Sequence, residues 1–284
     1  MTNNTGSGLL FTDANNNSVL GNNITENGAG VSLSRSSNNN VSGNNIANNN
    51  YGVYLDSTST YNSIAKNNIT ANNNHGILLT RSSHNNIFEN NIAENTGDGI
   101  HLDESYSIQS THNNITRNYI NSNRRGLCLN SSSNYNLIAE NIIMENICGI
   151  SFNSSSSNNI YYNNFVNNTF QVYTFDSANA WDDGAKGNYW SNYAGQDLDH
   201  DGIGDSPYII GINNLDSYPL MRSFIEGDCD CNGIVDMFDA EMMRRAWMSI
   251  EGEIDYNPHT DFITDGIISI KDATVIGINW QRHA

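Results

Sequence analysis

The chain is short of most things that stabilise a compact domain. It has three prolines and four cysteines in 284 residues, and four cysteines make no disulfide framework at this length. Positive charge is scarce: 12 Lys and Arg stand against 30 Asp and Glu, a formal charge of −18. That balance excludes a nucleic-acid binder, which needs a basic footprint. No apolar run reaches the roughly 18 residues of a membrane helix. The opening "MTNNTGSGLL" carries no leader pattern. The acids are also unevenly placed. Residues 1–170 hold ten acidic and six basic side chains, and residues 171–284 hold the other twenty and six. The acidity therefore belongs to the C-terminal part and fits cation binding.

Asn, Ser, Gly and Ile fill the first part, a composition that by itself suits a disordered chain. Periodicity overrules it. Glycines that precede an apolar-x-apolar triplet stand at Gly8, Gly30, Gly52, Gly76, Gly99, Gly126 and Gly149, spaced 22, 22, 24, 23, 27 and 23. A fixed period in the twenties means a solenoid of stacked units. Apolar residues fall in columns, such as Val31, Val53, Ile77, Ile100, Leu127 and Ile150, or Val41, Ile64, Ile87, Ile115, Ile138 and Ile160. They alternate with polar residues over three to five positions, the mark of short half-buried strands, and are mostly β-branched or leucine.

Three further columns are asparagine in all seven units, passing through Asn62, Asn67 and Asn72. Asn tolerates left-handed turns and can stack its amide in a ladder. Three such columns imply three corners per coil. The expected fold is an all-β right-handed parallel β-helix of about seven to eight coils over residues 1–190. The first coil begins in mid-turn, which implies coils upstream. Trp181, Tyr189, Trp190 and Tyr193 stand outside the repeat and are expected to cover the C-terminal end of its core.

Between the inward columns lie outward ones. Tyr61, His84, His112 and Tyr135 occupy one column on four successive coils, about 4.8 Å apart. A stripe of flat polar rings suits sugar rings, and two stacked His could instead hold a transition metal; a plain surface column is the bland alternative. Cys128 and Cys148 sit at different offsets and read as small unbridged core residues.

Residues 191–225 hold "DLDHDGIGD". A calcium loop places oxygen ligands at positions 1, 3, 5, 7 (a backbone carbonyl), 9 and 12, with Gly at 6. Asp197, Asp199, Asp201, the Ile203 carbonyl and Asp205 fill the first five around Gly202, and Asp216 is the candidate closing ligand. "DCDCNGIVDMFD" supplies Asp228, Asp230, Asn232, the Ile234 carbonyl, Asp236 and Asp239. Thirty-three residues on, "DFITDGIISIKD" supplies Asp261, Asp265, the Ile267 carbonyl, Ser269 and Asp272, with Ile263 unable to ligate. Helical spacing follows each of these two loops. Residues 226–284 are thus expected to be a small α-helical calcium-binding domain. The Cys229-x-Cys231 pair has no place in the ligand pattern.

Two resemblances follow from these motifs. The G-Φ-x-Φ…N-x-Φ-x-x-N-x-Φ-x-x-N repeat, with "GNYWSNY", "DGIGDSPY" and "LDSYPLM", resembles the NosD-like β-helix repeat proteins, a carbohydrate-binding and sugar-hydrolase type of scaffold. That resemblance implies a periplasmic copper-maturation role, but the coils are poor in His and have no Met-rich or Cys-rich site. Residues 227–284 resemble a type I dockerin, which implies a cohesin-type partner, touched at loop positions 10 and 11. Those are Met237, Phe238, Ile270 and Lys271 here.

The leading expectation is an extracellular or cell-surface, non-catalytic protein whose β-helix binds carbohydrate or protein and whose tail docks to a cohesin. The alternative is a β-helical polysaccharide lyase or glycoside hydrolase. Its candidate residues are Asp56, Asp103, Glu104, Arg81, Arg124, Arg125 and the twin acids Asp182 and Asp183, none of which forms a recurrent acid pair. Metal delivery is a third reading. Calcium needs and nine Asn-x-Ser/Thr sequons favour an extracellular setting.

Overall fold

The computed structural model describes residues 2–103, 109–199, 201–223, 235, 237–250 and 267–279. It divides into two compact units, residues 1–194 with 206–219, and residues 195–205 with 220–284. The segment 191–225, expected from sequence to be one cap, is shared between them.

The first unit is a right-handed parallel β-solenoid of about eight turns. The G-Φ-x-Φ repeats form its longest strands, including Tyr51–Asp56, Ile77–Thr80, Asp98–Asp103, Arg125–Asn130, Cys148–Asn153 and Phe170–Phe175. Two columns of three-residue strands complete each coil. One runs through Asn40–Ser42, Ser63–Ala65 and Asn86–Phe88, the other through Asn45–Ala47, Asn68–Thr70 and Asn91–Ala93. The register keeps each apolar column on itself: Val53 pairs with Ile77, Ile77 with Ile100, Ile100 with Leu127 and Leu127 with Ile150. A slip of one residue would turn every one of these side chains to solvent. The inward residues form one continuous core, most with no exposed surface. Each such Ile or Leu contributes about 1.5–3 kcal/mol.

The repeat glycines are packing glycines. A Cβ on Gly99 would lie 2.7 Å from the Gly126 carbonyl and 2.9 Å from Ile120 Cγ2.

All three asparagine columns are buried ladders. Asn67 is representative. Its backbone N–H and its Nδ2 both donate to Asn90 Oδ1 at 3.0 Å, and Nδ2 also reaches the Val41 carbonyl at 2.8 Å. Each amide satisfies corner backbone groups that water cannot reach. The left-handed turn residue is not the ladder Asn, as the sequence suggested, but the residue before it: Tyr61, Lys66, His84, Glu89, His112 and Tyr135 all have φ between 55° and 58°. Those side chains point away from the ladder, so the corner accepts Tyr, His, Lys or Glu at a cost of about 1–2 kcal/mol each.

Each ladder ends differently. The first passes from Asn158 to Asn179 to Asn214, whose Oδ1 also accepts the Trp181 indole N–H at 3.0 Å. The second passes from Asn163 to Asn188 to the buried carboxylate of Asp216. The third ends at Gln171, which accepts from Asn168 Nδ2 at 2.9 Å. Trp181 and Trp190 are buried over the end of the core as expected, Trp190 lying between Phe165 at 4.4 Å and Tyr208 at 4.3 Å, with Tyr193 packed beside them. Tyr189 is half-buried on a short strand paired with Asn164.

In the second unit, helices α1 (Met237–Arg245) and α2 (Ile270–Asn279) share a small core. The core is duplicated at an offset of 33. Val235 and Ile268 are both buried, as are Asp239 and Asp272 in the first helical turns and Met243 and Ile276 one turn later. Ile250 and Ile267 form an antiparallel bridge. No described helix is long and apolar enough to cross a membrane.

Candidate functional site

The Tyr61, His84, His112 and Tyr135 rings form one continuous stack on four rungs. Successive centroids are 5.2, 5.0 and 5.4 Å apart and the planes tilt by 12° to 22°. The common left-handed backbone aims the four side chains the same way, and Tyr61 and Tyr135 are about 60 % exposed.

A second group lies on the long-strand face. Asp98 is fully buried and accepts from His101 Nδ1 at 2.6 Å and from Arg125 Nε and Nη2 at 2.6 and 3.0 Å. Its backbone N–H donates to His75 Nδ1 at 3.0 Å. The His75 and His101 rings stack at 4.5 Å, and Tyr51 lies 6.0 Å from His75. Register brings these residues from three coils together: Asp98 pairs with Arg125, and His101 with Leu78 and Cys128. Burial opposes charge on His101, but hydrogen bonds to Asp103, Asp98 and Cys128 outweigh it and raise its pKa. Burial and then the charge of His101 pull His75 down to about 4. Burial works against the Asp98 carboxylate, yet its bonds to His101 and Arg125 keep it below the usual range. The sequence pointed to Arg125 and Asp103 as candidates and placed His101 in an outward column. It missed His75 and Asp98, because strand alternation does not mark a polar residue flanking the glycine.

Asp56, Arg81, Asp182 and Asp183 are occupied structurally, and Arg124 is exposed. Arg81 bonds Asp56 at 2.6 Å. Asp183 accepts from the Tyr162 hydroxyl and from the Ala185 and Lys186 N–H groups, while Asp182 accepts from Gly184 and Ser217. The twin acids thus fold a turn. Glu104 lies outside the described residues. Cys128 and Cys148 are buried free thiols, and burial pushes Cys148 up to about 11.

Of the loop residues, Asp197, Asp199 and Asp201 offer oxygens within 4.8 Å of one another. Asp197 accepts the N–H groups of Asp201 and Gly202, Asp201 that of Ile203, and Asp205 that of Leu198. Gly202 makes the turn at φ 85°. Ile203 pairs with Leu220. Asp216, the candidate closing ligand, is instead committed to the solenoid cap, where it accepts from Asn188 N, Trp190 Nε1 and Tyr218 N at 2.7, 2.8 and 3.1 Å. Asp228, Asp230, Asn232, Ile234, Asp236, Asp261, Asp265, Cys229 and Cys231 lie outside the described residues. Asp239 and Asp272 are buried in equivalent first turns. Ser269 caps α2: its N–H donates to Asp272 Oδ2 at 2.9 Å and its Oγ accepts the Lys271 N–H at 3.3 Å. Met237, Phe238, Ile270 and Lys271 are exposed at equivalent positions of α1 and α2.

The model of one family, described as periplasmic copper-binding protein (NosD), matches residues 1–109 and 68–195. The chain belongs to the NosD family. No curated protein matches this NosD-family chain significantly in sequence. Among solved structures it is similar to the periplasmic alginate epimerase AlgG, at 21 % identity and TM-score 0.51, over 64 % of this chain and 40 % of that one. A single-substitution mutant of the same epimerase gives 22 % and 0.52 over the same shares. The NosD-family chain therefore spans about 40 % of the length of the structures it resembles, and at this identity the likeness shows the β-helix fold alone.

Proposed function

We propose that this NosD-family protein is an exported glycan-binding solenoid, attached through a calcium-held C-terminal module to a cohesin-type partner. The observation that carries the glycan reading is the Tyr61–His84–His112–Tyr135 stack. It presents a line of polar ring edges four rungs long to which sugar hydroxyls can hydrogen-bond, with the outer faces of the two end rings, Tyr61 and Tyr135, left for C–H contact. Export is supported by the family description, which is of a periplasmic protein.

The attachment reading is supported by the 33-residue duplication of the helical core and by the matched exposed pairs at the starts of α1 and α2. The gathered oxygens of Asp197, Asp199 and Asp201 fit a hard cation such as Ca2+.

Copper, named in the family description, fits less well. His75, Asp98 and His101 bring ligand atoms within 4.8 Å. Yet His75 Nδ1 already accepts the Asp98 N–H, and the Asp98 oxygens already serve His101 and Arg125. A metal ion here would meet a guanidinium and an imidazolium, so no role is derived through copper.

Affinity electrophoresis through gels containing neutral and acidic polysaccharides tests the glycan reading. Retardation of the wild type, and its loss in a Tyr61→Ala/Tyr135→Ala double variant, is the expected result. Equal mobility in every gel would end the reading.

A further inference from the structure

Phe170–Phe175 is the terminal strand of the largest sheet and pairs on one side only, with Cys148–Asn153. We propose that its outer edge receives an extended segment of a partner protein, an apolar-x-apolar-x-Arg strand that pairs in parallel and completes the last coil. The proposal uses neither the ring stack nor the acidic loops and goes beyond both.

Past Phe175 the chain starts one more coil and builds two of its three sides. Ala180 bridges to Asn159, and Tyr189 and Trp190 pair with Asn164 and Phe165. On the third side, among the described residues, no strand covers Phe170–Phe175. A groove of about 660 Å3 lies there instead, between that strand and the turn from Ile210 to Asn213. Of its lining residues, Val172, Thr174 and Ile210 are half-buried, while Tyr173, Phe175 and Ile212 are more than half exposed. Sheet edges are ordinarily blunted by charge or proline, and FQVYTF has neither.

The repeat sets the direction of the backbone groups on this edge. In the third repeat the Val53 N–H donates to the Gly76 carbonyl of the following coil at 2.9 Å. Val172 stands in the column of Val53 on the last long strand, so its N–H is directed into the groove. A strand laid there supplies the matching carbonyl, which is how an extended peptide adds to an exposed sheet edge.

The first repeats show which side chains such a strand carries. Leu9, Phe11 and Asp13 have the spacing of Val172, Thr174 and Asp176. Val31 pairs with Leu9 and Leu33 with Phe11. The Asp13 N–H donates to the Ser34 carbonyl at 3.1 Å, and Arg35 Nε and Nη2 donate to the Asp13 carboxylate at 2.8 and 2.9 Å. Asp176 repeats the left-handed corner of Asp13, with φ 47° against 52°, and is exposed. Among the described residues no basic side chain pairs with it. The incoming strand therefore needs apolar side chains over Val172 and Thr174 and an arginine over Asp176, and a chain of net charge −18 favours a basic partner as well. The two segments of this pattern in the solenoid, residues 31–35 (VSLSR) and 77–81 (ILLTR), already pair with the coils on both sides, so the strand comes from another protein.

The test titrates the full chain into a fluorescently labelled peptide of residues 28–37, GAGVSLSRSS, and reads anisotropy. Saturable binding is expected, with none for a scrambled peptide of the same composition. The peptide carrying Arg35→Glu should bind roughly fivefold or more weakly. Asp176→Arg alters an exposed corner of a kind that already takes Arg at 35 and 81, so its thermal melt should match the wild type. It should weaken the Arg peptide by a similar factor and recover affinity with the Arg35→Glu peptide. No binding, or equal binding of the scrambled peptide, overturns strand addition. Binding indifferent to both charge changes, or no recovery in the swapped pair, overturns the register on Asp176. Self-association of the wild type in sedimentation, abolished by Asp176→Arg, would make a second copy the occupant and overturn the assignment to a different protein.

Discussion

The indole N–H of Trp190 donates to Asp216 Oδ2 at 2.8 Å, and this bond joins the aromatic cap of the solenoid to the end of its second asparagine ladder. In that ladder every amide donates toward the C-terminal end, so the final group must accept. A carboxylate does this without presenting a donor of its own. Gly187 shares the arrangement, since a Cβ there would overlap the Asp216 carboxylate.

Burial raises Asp216 from 3.8 to about 6, against the lowering bonds from Asn188, Trp190 and Tyr218. A carboxyl whose folded pKa is raised favours the native state when protonated. Its contribution is therefore full below about pH 4 and is lost as pH rises through about 6. The shift corresponds to about 3 kcal/mol. Asp216→Asn removes the titration, so the stability of the wild type relative to the variant should fall by that order between pH 4 and pH 7. Urea melts across the window measure it, and a constant difference between the two proteins would contradict the assignment.

Ladder asparagines should be far more sensitive than exposed ones. Asn90→Ala removes the bonds from Asn90 Nδ2 to Asn118 Oδ1 and the Ile64 carbonyl, and strands the donors of Asn67. A loss of about 2–4 kcal/mol is expected. Asn68→Ala, on an exposed surface row, should cost less than about 0.5 kcal/mol. Chemical denaturation compares them, and similar costs would mean that the ladders are not structural.

The packing glycine of the fifth repeat offers an independent check. Gly99→Ala drives a Cβ into the Gly126 carbonyl. The rungs would have to separate locally, at about 1–3 kcal/mol. A melting temperature equal to that of the wild type would show that the coils have slack.

The proposed calcium sites should be separable by loop. Asp201→Ala should remove one calcium equivalent by disrupting the Asp197–Asp199–Asp201 group, and Asp230→Ala should remove another. Titration calorimetry counts both. Unchanged stoichiometry in either variant would reject that loop as a site.

Much of the solenoid was legible in the sequence because each coil repeats the same local problem. Period, inward columns, buried asparagine rows and the ring column on Tyr61, His84, His112 and Tyr135 follow from alternation and spacing alone, and neighbouring rungs turn sequence register into spatial register. Local pattern does not rank side chains that flank the strands. His75, Asp98 and Arg125 lie in successive repeats as unrelated polar residues, and only the stacking of three coils turns them into one charged cluster. Likewise an aspartate next to an acidic loop looks like a calcium ligand until the chain folds. Asp216 then finds the Trp190 indole and the end of an amide ladder, where a buried acceptor is worth more to the fold than a carboxylate left to solvent.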